Sequence, residues 1–123
     1  MEGTYFVVCH GPPKSSPLGT FLVESKRHFL DHGEMKDHEG EELGRILRRL
    51  YRAIKKATGA ERIYSLSMMD GTPHFHLWLV PRTKNSKAHG VRFLAQNHSS
   101  KTEDAKGIAA SVERLLNVDE GHR

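Results

Sequence analysis

Two periods of apolar residues alternate along this chain. From about Glu39 to Ala57, Leu43, Ile46, Leu47, Leu50, Ile54 and Ala57 recur at the spacing of an amphipathic helix. Glu39, Glu41 and Glu42 open that segment and Lys55 and Lys56 close it, a polarity that complements the helix dipole. Gly59 follows as a C-terminal stop. Before and after this helix the pattern shortens to the period of strands. Tyr5 to Cys9 is a β-rich run ended by Gly11-Pro12-Pro13, and Thr20 to Val23 is a second strand behind the Ser/Pro-rich loop Lys14 to Pro17.

Beyond the helix, Tyr64, Leu66 and Met68 alternate with Ser65 and Ser67, which predicts a strand over Arg62 to Met69. Asp70-Gly71-Thr72-Pro73 is turn chemistry, so the next run, from His74 to Val80, is expected to return as the partner of an antiparallel hairpin. Residues Thr83 to Gly90 form a polar, basic loop. Ser100-Lys101-Thr102-Glu103 has the pattern of a capping box, opening a helix whose apolar set is Ile108, Val112, Leu115 and Leu116. The order strand, strand, helix, strand, strand, helix predicts an α+β fold: an antiparallel β-sheet with a long amphipathic helix and a C-terminal helix packed on it.

Length and charge narrow the function classes. The 123 residues fit a single domain, 1–123, with one hydrophobic core. A formal charge of +4 favours anionic partners such as nucleotides or other phosphates. It does not argue for a nucleic-acid binder, because no basic stripe with stacking aromatics accompanies it. One cysteine, Cys9, excludes an intrachain disulfide and fits a reducing compartment. In its apolar run Cys9 is expected to pack as a small side chain. No apolar h-region follows the N-terminus and no run approaches a membrane span, so a cytoplasmic location is expected.

The candidate chemistry sits in His74-Phe75-His76-Leu77-Trp78-Leu79-Val80-Pro81-Arg82. In a strand, His74, His76 and Trp78 share one face and Phe75, Leu77 and Leu79 the other, a plausible core face, with Arg82 just past the strand end. A zinc site would need further ligands; His10, His28, His32 and His38 show no ligand spacing, so neither metal nor cofactor is expected. The alternative is a nucleophile: one imidazole nitrogen free and neutral, the other held by an acceptor that fixes the tautomer. Attack on phosphorus would split one displacement into two. The site would then have to supply donors to the phosphoryl oxygens. Arg82 is a candidate phosphate contact through its fork of donors, and Lys26, Arg27, His28, Lys84, Lys87, His89 and Arg92 are candidates for steering an anion.

This segment resembles the signature of the histidine triad (HIT) family, His-x-His-x-His followed by two apolar residues and often Pro-Arg. Gly19-Thr20-Phe21-Leu22-Val23 and Lys26-Arg27-His28 are similar to the family's upstream Gly-His-x-Leu-Val…Pro-Lys-x-His segment. The resemblance covers Tyr5 to Arg82. It implies a nucleotidyl hydrolase or transferase, usually a homodimer, built on an antiparallel sheet. It assigns His76 as the nucleophile on an α-phosphorus and His74 as its support through the backbone carbonyl. Thr72, Trp78, Arg82 and Thr20 become the expected substrate-binding residues, and a nucleotide the expected ligand.

The chain also departs from that signature. Trp78 replaces the third histidine, Thr20 the histidine of the upstream strand, and Met69 the asparagine common in the hairpin's first strand. The indole N–H donates a hydrogen bond but cannot transfer a proton. Phosphate-type leaving groups need no protonation near pH 7, whereas amines do. The expected substrates are therefore phosphoanhydrides, of dinucleoside polyphosphate or nucleotide sugar type, rather than phosphoramidates. The other expectation is a nucleotide-binding or regulatory module with little or no catalysis.

Overall fold

The computed structural model describes residues 1–120. Four strands, β1 (Phe6–His10), β2 (Phe21–Ser25), β3 (Arg62–Leu66) and β4 (His76–Arg82), form an antiparallel sheet in the order β1-β2-β4-β3. The long helix α1 (Asp37–Thr58) lies between β2 and β3 in sequence, a four-residue helix α2 (Val91–Leu94) follows β4, and α3 (Thr102–Glu120) ends the described chain. Among these residues no helix is long and apolar enough to cross a membrane.

Alternation along the strands sorts the sheet into two faces. Phe6, Val8, Phe21, Val23, Leu77 and Leu79 are buried on one face, joined by Phe75 ahead of β4. They pack against Leu43, Leu50, Ala53 and Ile54 of α1 and Val112 of α3. This is the core face foreseen for Phe75, Leu77 and Leu79. At its C-terminus α1 stops where Gly59 turns left-handed at φ 72° and its N–H reaches the Lys55 carbonyl at 2.8 Å.

Several boundaries differ from the periodicity, each for a local reason. β3 ends at Leu66, because Met69 takes a positive φ of 65° and the chain leaves the sheet before the turn. The β3–β4 connection is therefore a nine-residue excursion over 67–75 rather than a tight hairpin. The two strands still pair antiparallel, with Leu66 opposite Trp78. The Ser100 capping box does not form. The Ser100 N–H instead reaches the Pro13 carbonyl at 2.7 Å, tying the entry of α3 to the β1–β2 loop, and α3 begins at Thr102. The segment Val91–Leu94, which has no clear apolar period, is helical and buries Phe93 against Tyr64.

Candidate functional site

The face of the sheet opposite α1 and α3 carries the chemistry. β4 is an interior strand, so its backbone is fixed from both sides. In register, His76 lies opposite Glu24 of β2, and Trp78 lies between Leu22 of β2 and Leu66 of β3. Side chains directly opposite in an antiparallel pair are near neighbours. Leu22, Glu24, Thr72, His74, His76 and Trp78 together line an open cleft of about 400 Å³.

The backbone sets the tautomer of the central imidazole. His76 Nδ1 lies 2.8 Å from the His74 carbonyl oxygen. A carbonyl only accepts, so in the neutral ring Nδ1 carries the hydrogen and Nε2 the lone pair. His74 is held in turn: its Nε2–H donates to the Ser25 carbonyl at 2.6 Å, and its Nδ1 lies 3.3 Å from Nδ1 of His28. Although His74 and Phe75 fall ahead of β4, the alternation survives there. The Phe75 N–H reaches the Phe29 carbonyl at 2.8 Å and its carbonyl accepts from the Ser25 N–H at 3.2 Å. The Phe75 ring stays buried and the His74 ring faces the cleft.

Trp78 is wedged rather than free. A Cβ placed on Gly11 would sit 3.3 Å from the Trp78 Cζ3 atom, 3.2 Å from Ser16 Oγ and 3.1 Å from Thr20 Cγ2. The benzo edge of the indole thus leans on the bare Gly11 backbone. The opposite edge carries Nε1–H, which has no hydrogen-bond partner among the described residues.

The other candidate residues separate. Thr72 lies on the cleft rim, exposed. Thr20 is fully buried and its hydroxyl donates to the Pro17 carbonyl at 2.7 Å; its methyl, not its hydroxyl, is turned toward Gly11 and Trp78. Arg82 corrects the expectation of an arginine beyond the strand end. It is the last residue of β4, only 4 % exposed, with Nε donating to Tyr64 Oη at 2.9 Å and Nη2 to Glu61 Oε1 at 3.0 Å. That guanidinium is consumed by the fold and does not line the cleft. Cys9 is also corrected: it is exposed on the cleft face of the sheet, opposite Leu22. Lost hydration, reinforced by the Glu24 carboxylate, raises its thiol pKa. Of the basic residues named for anion steering, none lines the cleft: Lys26 pairs with Glu2 at 2.7 Å and Arg27 with Glu39 at 2.8 Å.

Two contributors carry no sequence signal of their own. Glu24 follows Leu22 at strand period, but only the sheet order places it beside His76. Ser16, from the β1–β2 loop, is 2 % exposed and its Oγ has no hydrogen-bond partner among the described residues. It lines a second, mainly apolar groove of about 300 Å³ on the other side of Trp78. Among the described residues no three His, Cys, Asp or Glu side chains converge as they would around a metal ion.

No protein-family model matches the sequence, and no curated protein matches it either. Solved structures do. A histidine triad protein from Bradyrhizobium japonicum superposes with a TM-score of 0.78 at 14 % identity, covering 94 % of this chain and 87 % of that one. A histidine triad protein from Marinobacter aquaeolei gives a TM-score of 0.77 at 15 % identity, covering 94 % and 85 %. A hypothetical histidine triad nucleotide-binding protein from Sulfolobus tokodaii gives 0.72 at 18 % identity, covering 95 % and 81 %. The fold of this chain is that of the histidine triad proteins.

Proposed function

We propose that this protein is a nucleotide hydrolase or nucleotidyltransferase that cleaves phosphoanhydrides through a nucleotidyl intermediate on His76. The observation that carries the reading is the 2.8 Å bond from His76 Nδ1–H to the His74 carbonyl, which leaves the Nε2 lone pair free on a residue lining an open cleft. The HIT-like fold and the resemblance of the His74–Arg82 segment to the triad signature support it.

In the first step Nε2 attacks the α-phosphorus. The P–N bond forms as the P–O bond to the leaving phosphate breaks, and the leaving group departs as an anion. The developing imidazolium is stabilised by the His74 carbonyl facing Nδ1–H. In the second step water, or a phosphate of an acceptor, attacks phosphorus from the same cleft. The P–N bond breaks, Nε2 recovers its lone pair, and any proton released by water passes to solvent. The free Nε1–H of Trp78 is a donor for a phosphoryl oxygen but not an acid. Glu24 is a hydrogen-bond acceptor suited to sugar hydroxyls rather than to phosphate.

One observation favours a second reading. The cleft lining contains a carboxylate and neither Lys nor Arg, so little positive charge opposes the charge of a phosphoryl transition state. A nucleotide-binding module with slow turnover fits that deficit. Incubation with α-³²P-labelled nucleotides, quenched by denaturation at alkaline pH, separates the two. Label that survives denaturation on the wild type and is lost in His76→Ala supports the intermediate. Turnover retained by His76→Ala removes His76 from the role. Binding without label or product leaves the module.

A further inference from the structure

We propose that the solvent face of α1 is a docking surface for the phosphate backbone of double-stranded nucleic acid, held without regard to base sequence. The inference is independent of the reading of His76, because α1 packs on the core face of the sheet and the cleft opens on the other.

Arg45, Arg48, Arg52, Lys55 and Lys56 are all exposed on α1. With 3.6 residues per turn they fall within an arc of about 100°, and Arg45 to Lys56 spans about 16 Å of helix. From Arg45 to Gly59 the sequence contains no Asp or Glu. None of the five side chains has a hydrogen-bond or ion-pair partner among the described residues. Arg49, on the inner side of the helix, is buried with its Nη2 donating to the Leu116 carbonyl at 3.4 Å, so it does not join this face. Glu61, the next acid along the chain, is engaged by Arg82. The formal charge of the whole chain is +4, less than these five side chains carry alone, so the rest of the molecule is close to neutral. That net charge by itself singles out no polyanion; its concentration on one helix face does.

What the face lacks decides among polyanions. No large exposed apolar side chain lies on α1. An acidic protein partner would need an apolar centre to its interface, and a membrane-surface helix needs apolar side chains to enter the acyl boundary. A phosphate backbone needs neither, because its affinity comes from the release of condensed counterions. Three of the five cations are arginines, whose planar fork matches two phosphate oxygens at once. The form of the nucleic acid follows from the same inventory. Single strands are held by stacking on aromatic rings, and the one aromatic of α1, Tyr51, is half-buried with its hydroxyl bonded to Ser65. Since the sheet and α3 back the helix, α1 cannot sink into a groove as a free helix would, and its contacts go to the phosphates rather than to base edges.

The test is the salt dependence of binding to fluorescein-labelled duplexes of about 20 base pairs, followed by anisotropy from about 50 to 200 mM salt. Duplex DNA and duplex RNA share the backbone chemistry, so both are titrated. The wild type should bind at the low end, with a slope of log K against log salt of about −3, the value for three to four neutralised phosphates. The triple variant Arg45→Gln, Arg48→Gln, Arg52→Gln should lose most of that slope, and Arg52→Gln alone about one unit of it. Glutamine keeps the helix propensity of these exposed positions, and far-UV circular dichroism checks that the fold is retained. A second triple variant, Lys84→Gln, Lys87→Gln, Lys101→Gln, removes the same charge from outside α1 and should leave the slope unchanged. Equal losses in the two triple variants overturn the docking surface, because binding then follows net charge. No binding of either duplex at the lowest salt overturns it as well, as does retention by phosphatidylserine vesicles without binding to either duplex.

Discussion

Arg27 and Glu39 form a two-point pair across the start of α1, with Arg27 Nε to Glu39 Oε2 at 3.0 Å and Nη2 to Oε1 at 2.8 Å. The Arg27 guanidinium also lies 4.8 Å above the Phe29 ring, which stacks on Phe75. The pair therefore clamps the stretch between β2 and α1 that carries His28, the imidazole in contact with His74.

Acid should release this clamp only after it has protonated the ordinary carboxylates of the native protein. The hydrogen bonds from Arg27, then that from the Lys36 N–H, lower the Glu39 pKa from 4.5 to about 2. A lowered folded-state pKa gives stability that is fully present above the unfolded value and is lost as pH falls through the folded one. The contribution should fade from pH 4.5 toward about 2. Urea unfolding at stepped pH checks this: Glu39→Gln should be less stable than wild type near pH 7, with the gap closing across that window.

Trp78→His should change which leaving groups are accepted. An imidazole at this position can protonate a departing amine, which the indole cannot. The ratio of kcat/KM for a nucleoside phosphoramidate over a dinucleoside polyphosphate should rise on the order of tenfold or more, since positioned acids contribute at least that much. Stability should drop at the same time, because the packing of the indole on Gly11 is lost.

Glu24→Ala should weaken binding only where a diol is present. Glu24 stands opposite His76 in the register of β2 and β4, and a hydrogen bond to an ionised acceptor contributes roughly 1.5–3 kcal/mol. KM for ribonucleotide substrates should therefore rise about tenfold or more, while 2′,3′-dideoxynucleotide analogues should show no change. Equal losses for both would place Glu24 outside sugar recognition.

Gly19→Ala should destabilise the sheet end that holds β2. Gly19 has φ 89°, and a Cβ there would sit 2.5 Å from Thr58 Cγ2. Its N–H also donates to His10 Nε2 at 2.9 Å. Left-handed strain in a non-glycine residue costs about 1–3 kcal/mol, before the clash is counted. Denaturant titration should show that Thr58→Ser, which removes Cγ2, recovers part of the loss but not the backbone term.

What could be foreseen from sequence follows from which forces are local. The faces of β4 were legible because side chains alternate whatever the neighbours are, so Phe75, Leu77 and Leu79 fall to the core and His76 and Trp78 to the open side. α1 was legible because its apolar stripe and its Gly59 stop lie within one segment. Arg82 was not: a charged residue after an apolar run resembles a solvated end, and only the tertiary approach of Glu61 and Tyr64 explains its burial. Glu24 needed the sheet order, and Ser16 and His98 needed the path of the 83–101 segment back to Pro13, which no periodicity encodes.

β4 is hydrogen-bonded to a neighbour along both edges, whereas one wall of the groove hangs on the four residues of α2. Opening β4 requires breaking two ladders; opening α2 requires losing a single short turn and the Phe93 contact. Hydrogen exchange should accordingly be slow at His76 and fast at Leu94. Fluctuation then acts on the two halves of the site unequally. His76 keeps its position through excursions that widen and narrow the groove beside it, so variation in the 83–101 segment can reshape that groove without disturbing the face of β4 that carries the imidazole.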